Sequence, residues 1–235
     1  PRHESTVVTV ASRQSEGAIL AYADLLTSHR NARVTSVHLH AENAFAVPRG
    51  SLSGRAGNGF IRTAITQIAK AEKVGMIVSE WLADPHDMRE ALRLANELAI
   101  PAVFIRHPEL KPRGRVLVAT AGGPNVLQQM WVARQAACAL DLPVSFLRVV
   151  HPAVTPAGMS PSDDPVAALD VCACRLLHMD ARMEVKKAVK VDDAIASCVR
   201  EGDLLVLGAP SALRMTSDFE ESLPHVVANR VSAPL

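Results

Sequence analysis

The residues best suited to chemistry in this sequence are glycines and hydroxyl residues that follow predicted strands. Gly122-Gly123-Pro124 comes directly after an apolar run and before a helical pattern. Glycine lets backbone N–H groups approach a ligand closely, and the start of a helix attracts anions. The same three residues also suit a tight strand-to-helix turn with proline at the first helical position. Both interpretations stay open, an anion cradle and a plain turn.

Nucleophilic catalysis would require a nucleophile, a base and an orienting acid in one place. The polar residues near the ends of the second strands that could contribute are His38, His40, His151, Ser12, Ser15 and Ser36. Spacing alone assembles no triad from them, and no pair of carboxylates stands out. We therefore assign no catalytic residue and expect a protein that is not an enzyme.

The four cysteines, Cys138, Cys172, Cys174 and Cys198, all lie in the second half of the chain. Cys172 and Cys174, with His178 four residues further on, resemble half of a metal site, but a structural zinc site needs a second pair of ligands. Most cysteines of this kind are buried thiols. The sequence predicts buried thiols, no metal and a reducing, cytoplasmic setting.

The elements that must position these residues occur twice along the chain. Each half shows strand, helix and strand in the same order, followed later by a helix that leads into a buried strand. In the first half these elements are predicted at 6–10, around Ile19, Ala23 and Leu26, at 32–40, at 62–70 and at 74–79. In the second half they are predicted at 115–120, from Val126 to Leu140, at 142–150, at 192–200 and at 203–208.

The two halves are predicted to be unequal domains, with residues 1–106 as the first unit, 107–114 as a linker and 115–235 as the second unit. A helix at 165–179 and a strand at 183–191 are expected in the second unit, whereas the Gly-, Ser- and Arg-rich stretch 51–59 of the first predicts a mobile loop. The first unit is thus predicted to be abridged. The last strand of the second unit, starting at Ala233, is predicted to be cut off, as in a piece excised from a longer protein.

Strands that are apolar on both faces and alternate with helices predict an α/β fold with two tandem doubly wound, Rossmann-like parallel sheets. Ligands of such sheets bind beyond the carboxyl ends of the strands. With 25 Lys plus Arg against 24 Asp plus Glu and no basic run, nucleic acid is not an expected partner. No apolar stretch approaches the roughly 20 residues that cross a bilayer, so direct membrane insertion of this segment is not expected.

Two stretches carry a resemblance to a known family. Val116–Asn125, and Asp203–Ser211 taken with Glu221–Ala228, are similar to universal stress protein (UspA-like) domains, and the whole chain resembles their tandem form. In the nucleotide-binding branch of that family a Gly-x2-Gly-x9-Gly-Ser/Thr loop holds ATP. That loop falls here on Gly208, Ser211, Glu221 and Ser222, so its first glycine and its final hydroxyl match while the middle glycines are replaced.

The resemblance implies a non-catalytic sensing or regulatory module that binds an adenine nucleotide, ATP or AMP, weakly in the second unit, with weak nucleotide hydrolysis left open. The implied cofactor-binding residues are Ala121, Gly122, Gly123, Gly208, Pro210, Ser211 and Ser222. Glu221 would repel a phosphate, and Ala121 replaces an acidic residue usual in the family. Ser222, which precedes Leu223-Pro224, is equally suited to capping a helix.

The first unit is expected to bind no nucleotide, since its corresponding loop, 79–84, contains no glycine and carries Trp81, which suits packing or an interface. The two units are expected to pair as an intramolecular pseudo-dimer, with a further homodimer open. The Gly-Gly-Pro-Asn loop is also similar to stress-protein domains attached to membrane transporters and exchangers. The alternative function is therefore a cytosolic regulatory or assembly domain of such a transporter, without nucleotide binding.

Overall fold

The computed structural model describes residues 5–27, 32–40, 52–55, 60–121, 125–153, 171–172, 174–175, 178–208 and 222–235. The chain divides into two compact units, Pro1–Glu109 and Leu110–Leu235. The division falls inside the stretch 107–114. Each unit contains its own parallel β-sheet.

The sheet of the first unit has the strand order β3-β2-β1-β4-β5. Its strands are β1 (Ser5–Ser12), β2 (Ala32–His40), β3 (Leu52–Arg55), β4 (Val74–Glu80) and β5 (Ala102–Ile105). Its helices are α1 (Glu16–Thr27), α2 (Phe60–Ala71) and α3 (Pro85–Glu97).

The local sequence explains why these elements form. Residues 6–11 of β1 are all buried, as expected of a central parallel strand covered on both faces. Helix α1 buries Ile19, Ala23 and Leu26, which recur at helical spacing. Helix α3 begins after Asp84, whose side chain accepts a hydrogen bond of 2.7 Å from the His86 N–H, with proline in the first turn.

The sheet of the second unit has the order β8-β7-β6-β9. Its strands are β6 (Val116–Thr120), β7 (Val144–Val150), β8 (Ala181–Lys187) and β9 (Leu204–Leu207), and its helices are α4 (Val126–Leu140), α5 (Val191–Ala196) and α6 (Leu223–Ala228). One buried cluster joins the sheet to α5 and α6 and contains Leu117, Leu147, Ile195, Leu205, Val227 and Val231. No helix in the described part of the chain is both long and apolar enough to cross a membrane.

The predicted fold class, doubly wound parallel α/β, is confirmed. A backbone hydrogen bond that occurs in both units shows which of their residues are equivalent. The Pro101 carbonyl accepts the N–H of Ile77 at 2.9 Å, and the Pro234 carbonyl accepts the N–H of Leu205 at 3.0 Å. Both prolines stand just after a helix, at the place where a fifth strand begins in the first unit. Ile77 and Leu205 are therefore equivalent positions.

The predicted loop at 51–59 is wrong for residues 52–55, which form β3 and pair with β2 from Val37↔Leu52 to His40↔Arg55. Ser53 and Gly54 give this stretch no apolar alternation that would predict a strand, and the strand is defined by its backbone pairing with β2. The first unit thus keeps a strand predicted to be lost. Of the predicted helix 165–179, residues 171–172 and 174–175 are helical and residues 178–179 are not. The other positions of this stretch lie outside the described residues.

The cysteines differ from their predicted burial. Cys174 is buried, but Cys138 and Cys172 are exposed, and the four form no disulfide. Cys138 points outward because its neighbours Ala136 and Ala137 occupy the buried face of α4. Within the described ranges, no group of three or more His, Cys, Asp or Glu residues could hold a metal ion.

Tyr22, the chain's one tyrosine, gives a prediction that optical titration can test. Its hydroxyl on α1 is buried and meets no hydrogen-bond partner in the described structure. Burial, together with the charge of Glu109, raises the pKa of Tyr22 from 10.0 to about 12. The ultraviolet absorbance of the phenolate should therefore rise with a midpoint near pH 12 in folded protein and near 10 in denaturant.

The raised pKa also predicts how stability depends on pH. Below pH 10 both states are protonated and stability is unaffected by this group. Between pH 10 and about 12 the unfolded state loses its proton first, so stability falls as the pH rises through this window. A folded-state midpoint near 10 would contradict the buried position of the hydroxyl.

Candidate functional site

A doubly wound sheet binds its ligand where the strand order reverses, and we call this place the crevice of each unit. In the first unit the chain moves from β1 to β2 on one side and returns to β4 on the other, so the strand order reverses between β1 and β4. In the second unit the same reversal lies between β6 and β9. The carboxyl ends of these strand pairs are the expected ligand positions.

Strand register shows which residues are equivalent in the two crevices. Val8 pairs with Ile77 in the first unit, and Leu117 pairs with Leu205 in the second. Four residues beyond Val8 and Leu117 stand Ser12 and Ala121. Three residues beyond Ile77 and Leu205 stand Glu80 and Gly208. The first crevice therefore has a serine and a glutamate where the second has an alanine and a glycine.

In the first unit the Glu80 side chain crosses from β4 to the loop before α1. The Ser12 N–H donates to Oε1 and the Ser12 hydroxyl donates to Oε2, each at 2.9 Å. The Ser15 hydroxyl also donates to Oε2. A carboxylate thus lies between the end of β4 and the loop before α1 and accepts three hydrogen bonds. Sequence reasoning had singled out Ser12 and Ser15 but not Glu80, because nothing local connects residues more than 60 positions apart.

His38 and Ser36, which were also considered for catalysis, contact other residues in the described structure. His38 is 6% exposed and its Nδ1 lies 3.6 Å from Oε2 of Glu16. The Thr9 hydroxyl donates to the Ser36 hydroxyl at 3.0 Å. Among the contacts described for His38 and Ser36, neither residue pairs with the other.

His151 and His40 complete that set. His151 lies just after β7, is exposed, and accepts a hydrogen bond of 3.2 Å at Nδ1 from the Ala153 N–H. This hydrogen bond is a local turn contact. The backbone of His40 ends β2, and its side chain lies outside the described residues.

In the second unit Ala121 is exposed at the end of β6, and Gly208 follows β9. A Cβ added to Gly208 would lie 3.0 Å from both Cδ and Nε2 of Gln129, so this glycine makes room for the Gln129 side chain. Gln129 is 8% exposed and its Nε2 donates to the Ala119 carbonyl at 3.2 Å. Gln129 could have been recognised in the sequence as a polar residue among the positions of α4 that face the core. The sequence analysis did not identify it.

Ser222 occupies the N-cap position of α6, with φ −66° and ψ 143°, as its place before Leu223-Pro224 indicated. Its side chain makes no capping hydrogen bond, and in the described structure its buried Oγ has no partner. The remaining predicted positions, Gly122, Gly123, Pro210 and Ser211, lie outside the described residues, as does Glu221.

Two solved structures resemble this chain along nearly its whole length. One is a universal stress protein from Archaeoglobus fulgidus DSM 4304, with 9% identity, a TM-score of 0.55, and coverage of 99% of this chain and 95% of that chain. The other, from Pseudomonas aeruginosa UCBPP-PA14 and described in the same terms, has 14% identity, a TM-score of 0.55, and coverage of 99% and 92%. No protein-family model and no curated protein matches the sequence.

These two likenesses define the fold of the chain as that of the universal stress proteins. The family resemblance predicted from the residues of the second unit is thereby confirmed for the fold. Identities of 9% and 14% carry nothing further about ligands or partners.

Proposed function

We propose that this chain is a non-catalytic sensing or regulatory module of the universal stress protein type, whose second unit binds an adenine nucleotide, AMP or ATP, weakly. One observation carries the proposal: the equivalent position in the two crevices is a carboxylate, Glu80, in the first unit and Gly208 in the second. The first crevice is closed to an anion, whereas the second carries no charge at this position.

The charge difference is large enough to decide which crevice takes a phosphate. Two unit negative charges about 4 Å apart repel by roughly 4 kcal/mol at an effective dielectric constant of about 20. Glu80 imposes that penalty on any phosphate entering the first crevice. In the second unit, Ser222 at the start of α6 offers a buried hydroxyl that has no partner in the described structure.

Three features of the second crevice support weak rather than tight binding. Gln129 fills the space beside Gly208 and must shift if a ligand is to approach that backbone closely. Ala121 offers no polar side chain to a ribose or a base. Glu221, adjacent to Ser222 in sequence, adds negative charge to this segment. Dissociation constants near the millimolar range follow from so few favourable contacts.

Calorimetric titration with ATP, ADP and AMP tests this proposal. We expect one nucleotide per chain, and an affinity lowered about fivefold in Ser222→Ala, since a neutral hydrogen bond contributes about 1 kcal/mol. Ser12→Ala is the matched control, because it removes a serine hydroxyl from the first crevice, and its affinity should equal that of the unaltered chain. Flat titrations of folded protein with all three nucleotides would contradict nucleotide binding.

The same samples test the absence of catalysis. With ATP present, phosphate release should not exceed that of a protein-free blank, because no catalytic residue is assigned to this chain. Sustained release that disappears in Ser222→Ala would show instead that the second unit hydrolyses nucleotide.

A further inference from the structure

The crevice of the first unit is filled from within the same unit. We propose that the Glu80 carboxylate is an internal ligand, which takes the place of a bound oxyanion and ties the loop before α1 to the end of β4. This inference goes beyond the proposed function, which concerns the second unit, and does not depend on it.

The donors around Glu80 are those with which proteins hold phosphate and carboxylate oxygens. They are one backbone N–H, from Ser12, and two hydroxyls, from Ser12 and Ser15. Both carboxylate oxygens are used, since Oε1 accepts the N–H and Oε2 accepts both hydroxyls. Hydrogen bonds to an ionised acceptor are stronger than neutral ones, so the contact also stabilises the loop.

The surrounding charges show that Glu80 is held by dipoles rather than by a salt bridge. Among the described residues, no Lys, Arg or His forms an ion pair with Glu80. His38, a buried histidine on β2, lies against Glu16 instead. Arg13, the basic residue of the loop, is exposed. Neutral donors at the start of a helix of 12 residues can bind either a side-chain carboxylate or an anion from solution.

The position of Glu80 is what makes it comparable to a ligand. It lies at the reversal of strand order, where a doubly wound sheet binds its ligand, and it comes from a strand 65 to 68 residues away from its partners. The second unit has Gly208, without a side chain, at the equivalent position. One unit therefore carries its own anion and the other does not.

Chemical rescue of Glu80→Gly tests the proposal. In a Trp131→Phe background the fluorescence of Trp81 reports on the first unit alone. We expect Glu80→Gly to lower the thermal midpoint of that unit by roughly 3–8 °C. Added formate or inorganic phosphate should restore most of this loss by entering the vacated position.

Two controls separate rescue from the general stabilisation that phosphate gives to proteins. The unaltered chain and Glu80→Gln should both show only the small general effect, because a side chain still fills the position. A midpoint of Glu80→Gly equal to that of the unaltered chain would overturn the proposal. So would a loss of stability that formate and phosphate correct no better than they do in Glu80→Gln.

If Glu80→Gly does not fold in buffer, recovery of its helical circular dichroism on adding formate supports the proposal, and no recovery overturns it. Ser15→Ala provides an independent measurement, since it removes one donor and keeps the carboxylate. Its thermal midpoint should fall by a few degrees without anion rescue, and an unchanged midpoint overturns the proposal.

Discussion

Asp203→Asn should lower the free energy of unfolding of the second unit by about 3 kcal/mol, the cost of breaking a buried ion pair from one side. Asp203 is 2% exposed and accepts hydrogen bonds from the N–H and Nε of Arg115, both at 3.2 Å, and from the N–H of Arg200 at 3.0 Å. Asparagine preserves the shape but removes the charge and turns one acceptor oxygen into a donor. At least one of these donors then loses its partner.

Arg115 does not lose its charge when the Asp203 carboxylate is removed. Burial by itself lowers the pKa of Arg115, but its hydrogen bonds to Asp203 and Glu184 outweigh burial and raise it. Asp203→Asn removes one of these hydrogen bonds, but an arginine guanidinium keeps its proton in proteins, so Arg115 stays charged with its side chain only 11% exposed. Urea denaturation in a Trp81→Phe background, where Trp131 reports on the second unit, measures the effect.

Glu184→Gln is the matched control, because Glu184 contacts the same arginine from the surface. Its side chain is 45% exposed and lies 2.7 Å from Nη1 of Arg115. Exposed ion pairs contribute less than about 1 kcal/mol, so this variant should be clearly more stable than Asp203→Asn. Equal losses in the two variants would show that burial does not set the value of the Asp203 contact.

Gly208→Glu should abolish measurable nucleotide binding to the second unit. The substitution places in the second crevice the acidic residue that the first unit has at the equivalent position 80. A repulsion of roughly 4 kcal/mol at about 4 Å corresponds to a loss of affinity of about a thousandfold. Calorimetric titration with AMP and ATP measures the loss.

Two further variants separate charge from crowding. Gly208→Ala adds only the Cβ, 3.0 Å from Gln129, whose flexible amide end can shift, so nucleotide binding should weaken by no more than a few fold. Gly17→Glu adds the same carboxylate to the first unit, where a Cβ meets nothing within 4 Å, and should leave binding unchanged. Equal losses in Gly208→Ala and Gly208→Glu would contradict a charge effect, and full binding in Gly208→Glu would contradict the site.

The sequence by itself determined the elements whose signal is local. The strand predicted at 32–40 has those bounds in the structure, and the strand predicted at 74–79 extends by one residue to Glu80. Helix α1 buries the three residues predicted from its periodicity. Runs of buried apolar residues and helical spacing involve residues that are close together along the chain. One sequence is therefore enough to recognise these elements and the repeat they form.

Only the tertiary structure decided which polar groups meet. Glu80 with Ser12 and Ser15, and Gln129 with Gly208, join segments more than 60 positions apart, and no spacing rule connects them. The edge strand β3 formed against the local pattern, through its backbone pairing with β2. The sequence therefore determined that two α/β units exist, and the folding of the first unit decided that Glu80 meets Ser12 and Ser15. Hydrogen bonds of buried polar groups are satisfied in space rather than along the chain.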